Sequence, residues 1–289
     1  MEPGRHPLTM PGAAGRLAAD RWAPPSRPRR GSVVLLHGGG QTRHSWRHTG
    51  SRLAAEGWTA IAYDLRGHGD SDWAEDGDYT LDAHVADLRG ALSTLDDPPV
   101  LVGASLGGMT SLLALAVEPD LARGLVLVDV TPTTERAGTA EITEFMRSGV
   151  GGFDTLDEAA AAVAAYNPLR TRPPRPEGLQ KNLRRRDGRW YWHWDPRLLE
   201  QRQTDPDVQE QNARRARAAA RGLTVPTLLV RGRQSRVVST AGAQELLSLV
   251  PSARLVDVEG AGHMVAGDDN DVFGEHLQEF LEGPVQLAG

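Results

Sequence analysis

The first half of the chain is marked by short stretches that are apolar throughout or after a single leading Ser or Thr: SVVLL at 32–36, TAIAY at 59–63, VLV at 100–102 and LVLV at 125–128. A strand that faces water on one side alternates apolar and polar residues. One that is apolar throughout must be covered on both faces, the condition of a parallel sheet between two layers of helices. Segments of helical period stand between these runs: HSWRHTGSRLAAEG, TLDAHVADLRGALSTL with Thr80 as its N-cap, and SLLALAV. The alternation predicts an α/β fold with a mostly parallel sheet and helices on both faces. It stops near residue 131, where Pro132 ends the fourth strand, and resumes with VPTLLVRG, the helix STAGAQELLSLV, the strand ARLVDVEG and a final helix over about 269–282. Residues 1–130 and 223–289 are therefore expected to form one core. Residues 131–222 form an α-helical cap insertion, with helices near 137–147 and 156–166, an irregular NPLRTRPPRPEG and a hairpin turning at Asp187-Gly188.

Composition removes several kinds of chemistry. The 289 residues contain no cysteine, which excludes disulfides, thiolate metal sites and a Cys nucleophile together. A net charge of −6 argues against a nucleic-acid surface, despite the local cluster LRRRDGR. No apolar run approaches the ~18 residues of a membrane span. The opening MEPGRHPLTMPGAAG lacks the apolar centre of a secretory signal, so a cytoplasmic location is expected. No cofactor is implied. The pair His44 and His48 has metal-ligand spacing but no third ligand nearby in sequence, and no metal is assigned. The expected partner is a small-molecule substrate.

GASLG at 103–107 fits Gly-x-Ser-x-Gly and lies between a buried strand and a helix, the setting in which a sharp turn lifts a serine hydroxyl above the sheet. Small neighbours make the turn feasible, and Ser105 is the candidate nucleophile. A serine needs a base, and His263 in the glycine loop VEGAGHMV follows the last strand and precedes the last helix. The backbone N–H of Leu106, at a helix start, and that of Gly39 in HGGG are the candidate oxyanion donors. His37, Arg66 and His68 are expected to brace loops.

HGGG at 37–40, DLRGHGDS at 64–71, GASLGG at 103–108 and GAGH at 260–263 occur in the order of the α/β-hydrolase fold, and the chain resembles a serine hydrolase of that superfamily with a cap domain. The resemblance spans nearly everything from about residue 31 onward and specifies the fold far more than the substrate. It implies a carboxylate on the loop after LLVRG, yet Ser235 stands there. Some members supply the acid one strand earlier, and that position is Asp129 in GLVLVDVTP. The competing roles for Asp129 are a plain turn contact with backbone N–H groups, and for the triad acid Asp257 or no acid at all. Asp257 reads as a strand residue pointing away from the pocket, and Asp268 and Asp269 as residues favouring a helix N-terminus.

His44 and Trp46, just beyond HGGGQTR, and Trp192 and Trp194 in RWYWHWDP are the candidate pocket residues, with packing inside the cap as the competing role for the tryptophans. The expected function is hydrolysis of a carboxylic ester or lactone of a small, largely apolar substrate through an acyl-enzyme. Two alternatives stay open: a carbon–carbon bond hydrolase of the same fold, and a non-hydrolytic ligand-binding or receptor-like protein, which the absent acid at 235 would suit.

Overall fold

The computed structural model describes residues 4–24, 30–166, 175–200, 205–263 and 271–286. The strands are β1 (Arg5–Gly12), β2 (Gly15–Trp22), β3 (Ser32–Leu36), β4 (Thr59–Tyr63), β5 (Val100–Ala104), β6 (Gly124–Val128), β7 (Leu183–Arg186), β8 (Arg189–Trp192), β9 (Thr227–Gly232) and β10 (Arg254–Val258). The α-helices are α1 (Arg47–Ala55), α2 (Leu81–Leu92), α3 (Leu106–Val117), α4 (Arg136–Ser148), α5 (Leu156–Tyr166), α6 (Pro206–Arg221), α7 (Thr240–Leu249) and α8 (Asp271–Phe280).

Eight strands form one sheet in the order β1-β2-β4-β3-β5-β6-β9-β10, parallel from β4 to β10, with β1 and β2 added antiparallel at one edge. The unbroken apolar runs are explained by burial on both faces. Val34 and Leu36 of β3, Leu101 of β5 and Leu125 and Leu127 of β6 face a core shared with α2, α3, α6 and α7. Val33 and Leu35, Val100 and Val102, and Val126 and Val128 face a second core shared with α1 and α8. Side chains alternate across a strand, so both cores need apolar residues from every central strand.

Helix starts follow from the sequence. Thr80 accepts the Ala83 N–H at 3.3 Å, Ser239 the Gly242 N–H at 3.1 Å, and Asp205 the Asp207 N–H at 2.9 Å, each satisfying a donor that a helix leaves without an internal partner. Between β6 and β9 the periodicities near 137–147 and 156–166 are α4 and α5. The hairpin is β7–β8, and Asp187 and Gly188 at its tip both have positive φ (47° and 83°), as a two-residue type I′ turn requires. Most of NPLRTRPPRPEG, like Asp268, Asp269 and the expected start of the last helix at 269, lies outside the described residues. The helix α6 carried no strong signal. Its buried residues are Ala216, Ala219 and Ala220, and they pack into the core with α3, so this part of the 131–222 segment joins the α/β layers. A separate core holds α4, α5 and β7–β8 together, with Met146, Ala159, Leu179, Leu183, Trp192 and Trp194.

The β7–β8 hairpin and the segment after it are fastened to the loop between β4 and α2. Asp195 donates its N–H to Gly67 O (2.8 Å) and accepts the Tyr79 hydroxyl (2.6 Å). Arg184 reaches Gly69 O (3.0 Å) and the Asp70 carboxylate (2.5 Å). No helix of the described residues is long and apolar enough to cross a membrane.

Candidate active site

Ser105 directly follows β5 and caps α3 with φ 47° and ψ −113°. It makes no side-chain capping bond, which leaves its hydroxyl uncommitted to the helix. The turn exists because its neighbours lack side chains. A Cβ on Gly103 would collide with the backbone of Gly107 and Gly108, and one on Gly107 would lie 2.6 Å from Leu36 Cβ. Among the described residues three that are not glycine have positive φ, namely Ser105, Asp129 (49°) and the hairpin residue Asp187. Two of the three are candidate site residues, and strain of this kind is maintained where the surroundings over-determine it.

Asp129 follows β6 directly and is fully buried. Its Oδ1 accepts the Gly232 N–H at 3.0 Å, and its Oδ2 accepts His263 Nδ1–H at 2.7 Å and the Ser235 hydroxyl at 2.5 Å. The loop carrying His263 reaches Asp129 because it crosses the end of β9 at Gly232, where a Cβ would collide with the carbonyls of Ala261 and Gly262. Gln234 N–H to Ala261 O (3.0 Å) ties the two loops. Asp257 is engaged elsewhere: Arg231 holds it through Nε and Nη2, both at 2.7 Å, from the neighbouring strand. Of the two carboxylates weighed from the sequence, the structure therefore brings Asp129 to His263 and pairs Asp257 with an arginine.

In HGGG two of the three glycine N–H groups are taken. Gly38 N–H donates to Gln41 Oε1 (2.9 Å) and Gly40 N–H to His68 Nε2 (3.1 Å). Among the described residues no hydrogen bond engages the N–H of Gly39 or of Leu106. A Cβ built on Gly39 would meet nothing within 4 Å, so this stretch of backbone borders open space.

Three buried imidazoles fix the glycine loop. His37 donates from Nδ1 to Gly38 O (2.8 Å) and accepts the Leu65 N–H at Nε2 (2.9 Å). His68 donates from Nδ1 to Arg66 O (2.9 Å), leaving Nε2 for Gly40. His193 accepts the Gly69 N–H at Nδ1 (2.6 Å) and aims Nε2–H at Gly40 O (3.4 Å). His193 was not among the sequence candidates. Its position between two conspicuous tryptophans was the signal, since the alternation that buries Trp192 and Trp194 turns His193 toward the opposite side. Each ring has to accept a backbone N–H, so each must be neutral. Burial, the largest influence, lowers His37 to about 4 and His68 to about 3, and takes His193 well below its ordinary value.

This has a measurable consequence. An imidazole with a lowered folded pKa contributes stability that is fully present above its unfolded pKa of ~6.5 and is lost as pH falls toward the folded value, because the unfolded chain binds the proton first. For His37 and His68 together the loss between pH 7.5 and pH 5 is about 4 kcal/mol at 1.36 kcal/mol per unit. Urea unfolding at the two pH values should show it, and an unchanged unfolding free energy would contradict neutral burial of these rings.

The pocket candidates divide. His44 lies one residue beyond Arg43, which is locked by Asp20 (3.1 Å), Asp64 and Asp70 (2.9 Å). Burial and the adjacent Arg43 lower the His44 pKa. Trp46, expected at the pocket, is 1% exposed and packs in the α1–α8 core with its ring centroid 5.9 Å from Phe273. The turn of helix after the loop carries it into the core between the sheet and α1 and α8. Trp192 and Trp194, also expected at the pocket, stack on each other at 5.1 Å and 13° inside the cap core, with Phe145 and Phe153 against Trp192. Cap packing is their role in this arrangement. Besides His193, the cap brings Met146 to the glycine loop, with its Sδ and Cε 3.4 Å from where a Gly40 Cβ would stand. Among the described residues no cluster of three metal-ligating side chains occurs.

Residues 31–269 match the family model described as alpha/beta hydrolase fold. The chain belongs to the α/β-hydrolase family. Among relatives, this hydrolase is 34% identical to esterase Rv0045c of Mycobacterium tuberculosis over 88% of its own length and 83% of the relative's. It is 35% identical to 2-(acetamidomethylene)succinate hydrolase of Mesorhizobium japonicum over 78% and 79%. A crystal structure of E-2-(acetamidomethylene)succinate hydrolase superposes with a TM-score of 0.82 at 24% identity, covering 97% of this chain and 100% of that one, which speaks for the fold. The crystal structure of the Rv0045c esterase superposes at 0.70 with 29% identity, over 97% and 92%. The parallel sheet with helices on both faces is thus the family's fold, and the relatives' names make the chain a hydrolase of that fold.

Proposed function

We propose that the chain hydrolyses a carboxylic ester or lactone of a small, largely apolar substrate through an acyl-enzyme on Ser105. The observation that carries the reading is the chain of contacts behind His263: Nδ1–H bonded at 2.7 Å to a carboxylate that is itself buried and oriented by Gly232 N–H. That contact fixes the tautomer in which Nε2 is the base.

In this reading Ser105 Oγ attacks the substrate carbonyl carbon and His263 Nε2 takes the hydroxyl proton. Charge moves to the carbonyl oxygen, where the N–H groups of Leu106 and Gly39 receive it, a single such donor being worth about 3 to 4 kcal/mol. Collapse breaks the bond to the alkoxy oxygen, which leaves with the proton from His263. A water then attacks the acyl carbon while His263 accepts its proton, and Ser105 departs as the hydroxyl. Asp129 stays anionic throughout, steadying the imidazolium. The relative named as an esterase supports the substrate class.

Stopped-flow mixing with a p-nitrophenyl ester tests this. The expected trace is a burst of nitrophenolate approaching one equivalent per chain, followed by a slower steady state. A chain that releases no burst and resists a serine-directed fluorophosphonate would instead be a binding protein on a hydrolase scaffold.

A further inference from the structure

Ser235 occupies the place where the resemblance leads one to expect the acid, and its surroundings give it a defined task. Its Oγ accepts two backbone N–H groups, from Val237 and Val238, each at 3.1 Å. With both acceptor directions filled, the hydroxyl proton is left for the one remaining neighbour, Asp129 Oδ2, at 2.5 Å. That is the same oxygen that receives His263 Nδ1–H. The carboxylate is thereby held at three points, by Gly232 on Oδ1 and by Ser235 and His263 on Oδ2.

The turn that aims Ser235 is itself stitched to the start of α4. Glu135 N–H donates to Val237 O (2.8 Å), a Cβ on Gly138 would collide with the Arg236 backbone, and Arg236 pairs with Glu141 at 2.7 Å. A hydroxyl on a free loop would lose most of its directing effect to rotation and loop motion. This one is fixed from both sides.

We infer that Ser235 is a positioning residue: as a hydrogen-bond donor it orients the Asp129 carboxylate toward His263. The inference rests on the triad reading above and goes one step beyond it. A donor to an anionic partner in a buried site is among the stronger single hydrogen bonds, and its loss lets the carboxylate turn away from the imidazole in the transition state without touching substrate binding.

The test is a double-mutant cycle on the full chain with a p-nitrophenyl ester, with active sites counted by fluorophosphonate labelling carried to its endpoint in each variant so that misfolded protein drops out. Ser235→Ala should lower kcat by about tenfold, consistent with loss of one charge-assisted bond, and leave KM within twofold. Ser235→Thr keeps the hydroxyl and should recover most of the loss. In an Asp129→Asn background Ser235→Ala should change kcat by less than about twofold, because there is no longer an anion to orient. If Ser235→Ala leaves kcat per labelled site unchanged, or lowers it equally in both backgrounds, the positioning role is wrong although the triad stands. If Asp129→Asn alone leaves kcat intact, the triad reading falls and this inference with it.

Discussion

Replacing Ser105 by Ala is expected to abolish the burst and lower kcat on a p-nitrophenyl ester by about 10⁶, the scale seen when a serine nucleophile is removed from an otherwise intact site. The variant should fold normally. Ser105 is held at φ 47° by flanking glycines and by its N–H to Val128 O (3.1 Å), and Ala at that position removes only an oxygen that makes no capping bond. Melting temperature should move by no more than a few degrees, since Ala keeps the Cβ and the backbone bond to Val128 and loses only the hydroxyl. Equal KM with vanished kcat would place the loss in the chemical step. Residual turnover near the wild-type rate would mean that another group attacks the carbonyl.

The second large effect separates the two carboxylates. Asp129→Asn should lower kcat by about 10⁴, because an amide can donate to Nδ1 and so favour the wrong imidazole tautomer. Asp257→Asn should leave kcat within a few-fold and act on stability instead, by weakening the bidentate pair with the nearly buried Arg231. Steady-state kinetics and a urea titration on both variants give the comparison. Should Asp257→Asn cost more in kcat than Asp129→Asn, the acid has been assigned to the wrong strand.

The parallel core was legible because burial on both faces writes itself as unbroken apolar runs, and β3, β4, β5, β6 and β9 all carry one. The β1–β2 hairpin was not. It is an edge ribbon whose first strand is mostly exposed and whose second mixes Leu17, Ala19 and Trp22 with Arg16, Asp20 and Arg21, a pattern that reads equally as loop. Helix α6 hid for a related reason. Its inner face is alanine, which supplies helical propensity without a hydrophobic stripe.

At the site the motif residues were readable because each needs a special backbone. Ser105 needs glycines around it, and His263 follows a glycine loop. What connects them was less readable, since a hydrogen bond between residues 129 and 263 or 129 and 235 leaves no trace in local spacing. Ser235 looked from the sequence like a deficit. Its contacts in the folded chain make it a donor to the Asp129 carboxylate. Trp46 and Trp192 went the other way, because a large aromatic near a candidate pocket is as readily consumed by the core as by the cavity.

The central claim is that a hydroxyl at the turn after β5 is made nucleophilic by an imidazole anchored on Asp129. Incubation with a fluorophosphonate, followed by intact mass and peptide mapping, tests it most directly. The account predicts one adduct per chain, on Ser105, formed orders of magnitude more slowly in Asp129→Asn. An adduct on any other residue, or labelling as fast in Asp129→Asn as in the wild type, would contradict it.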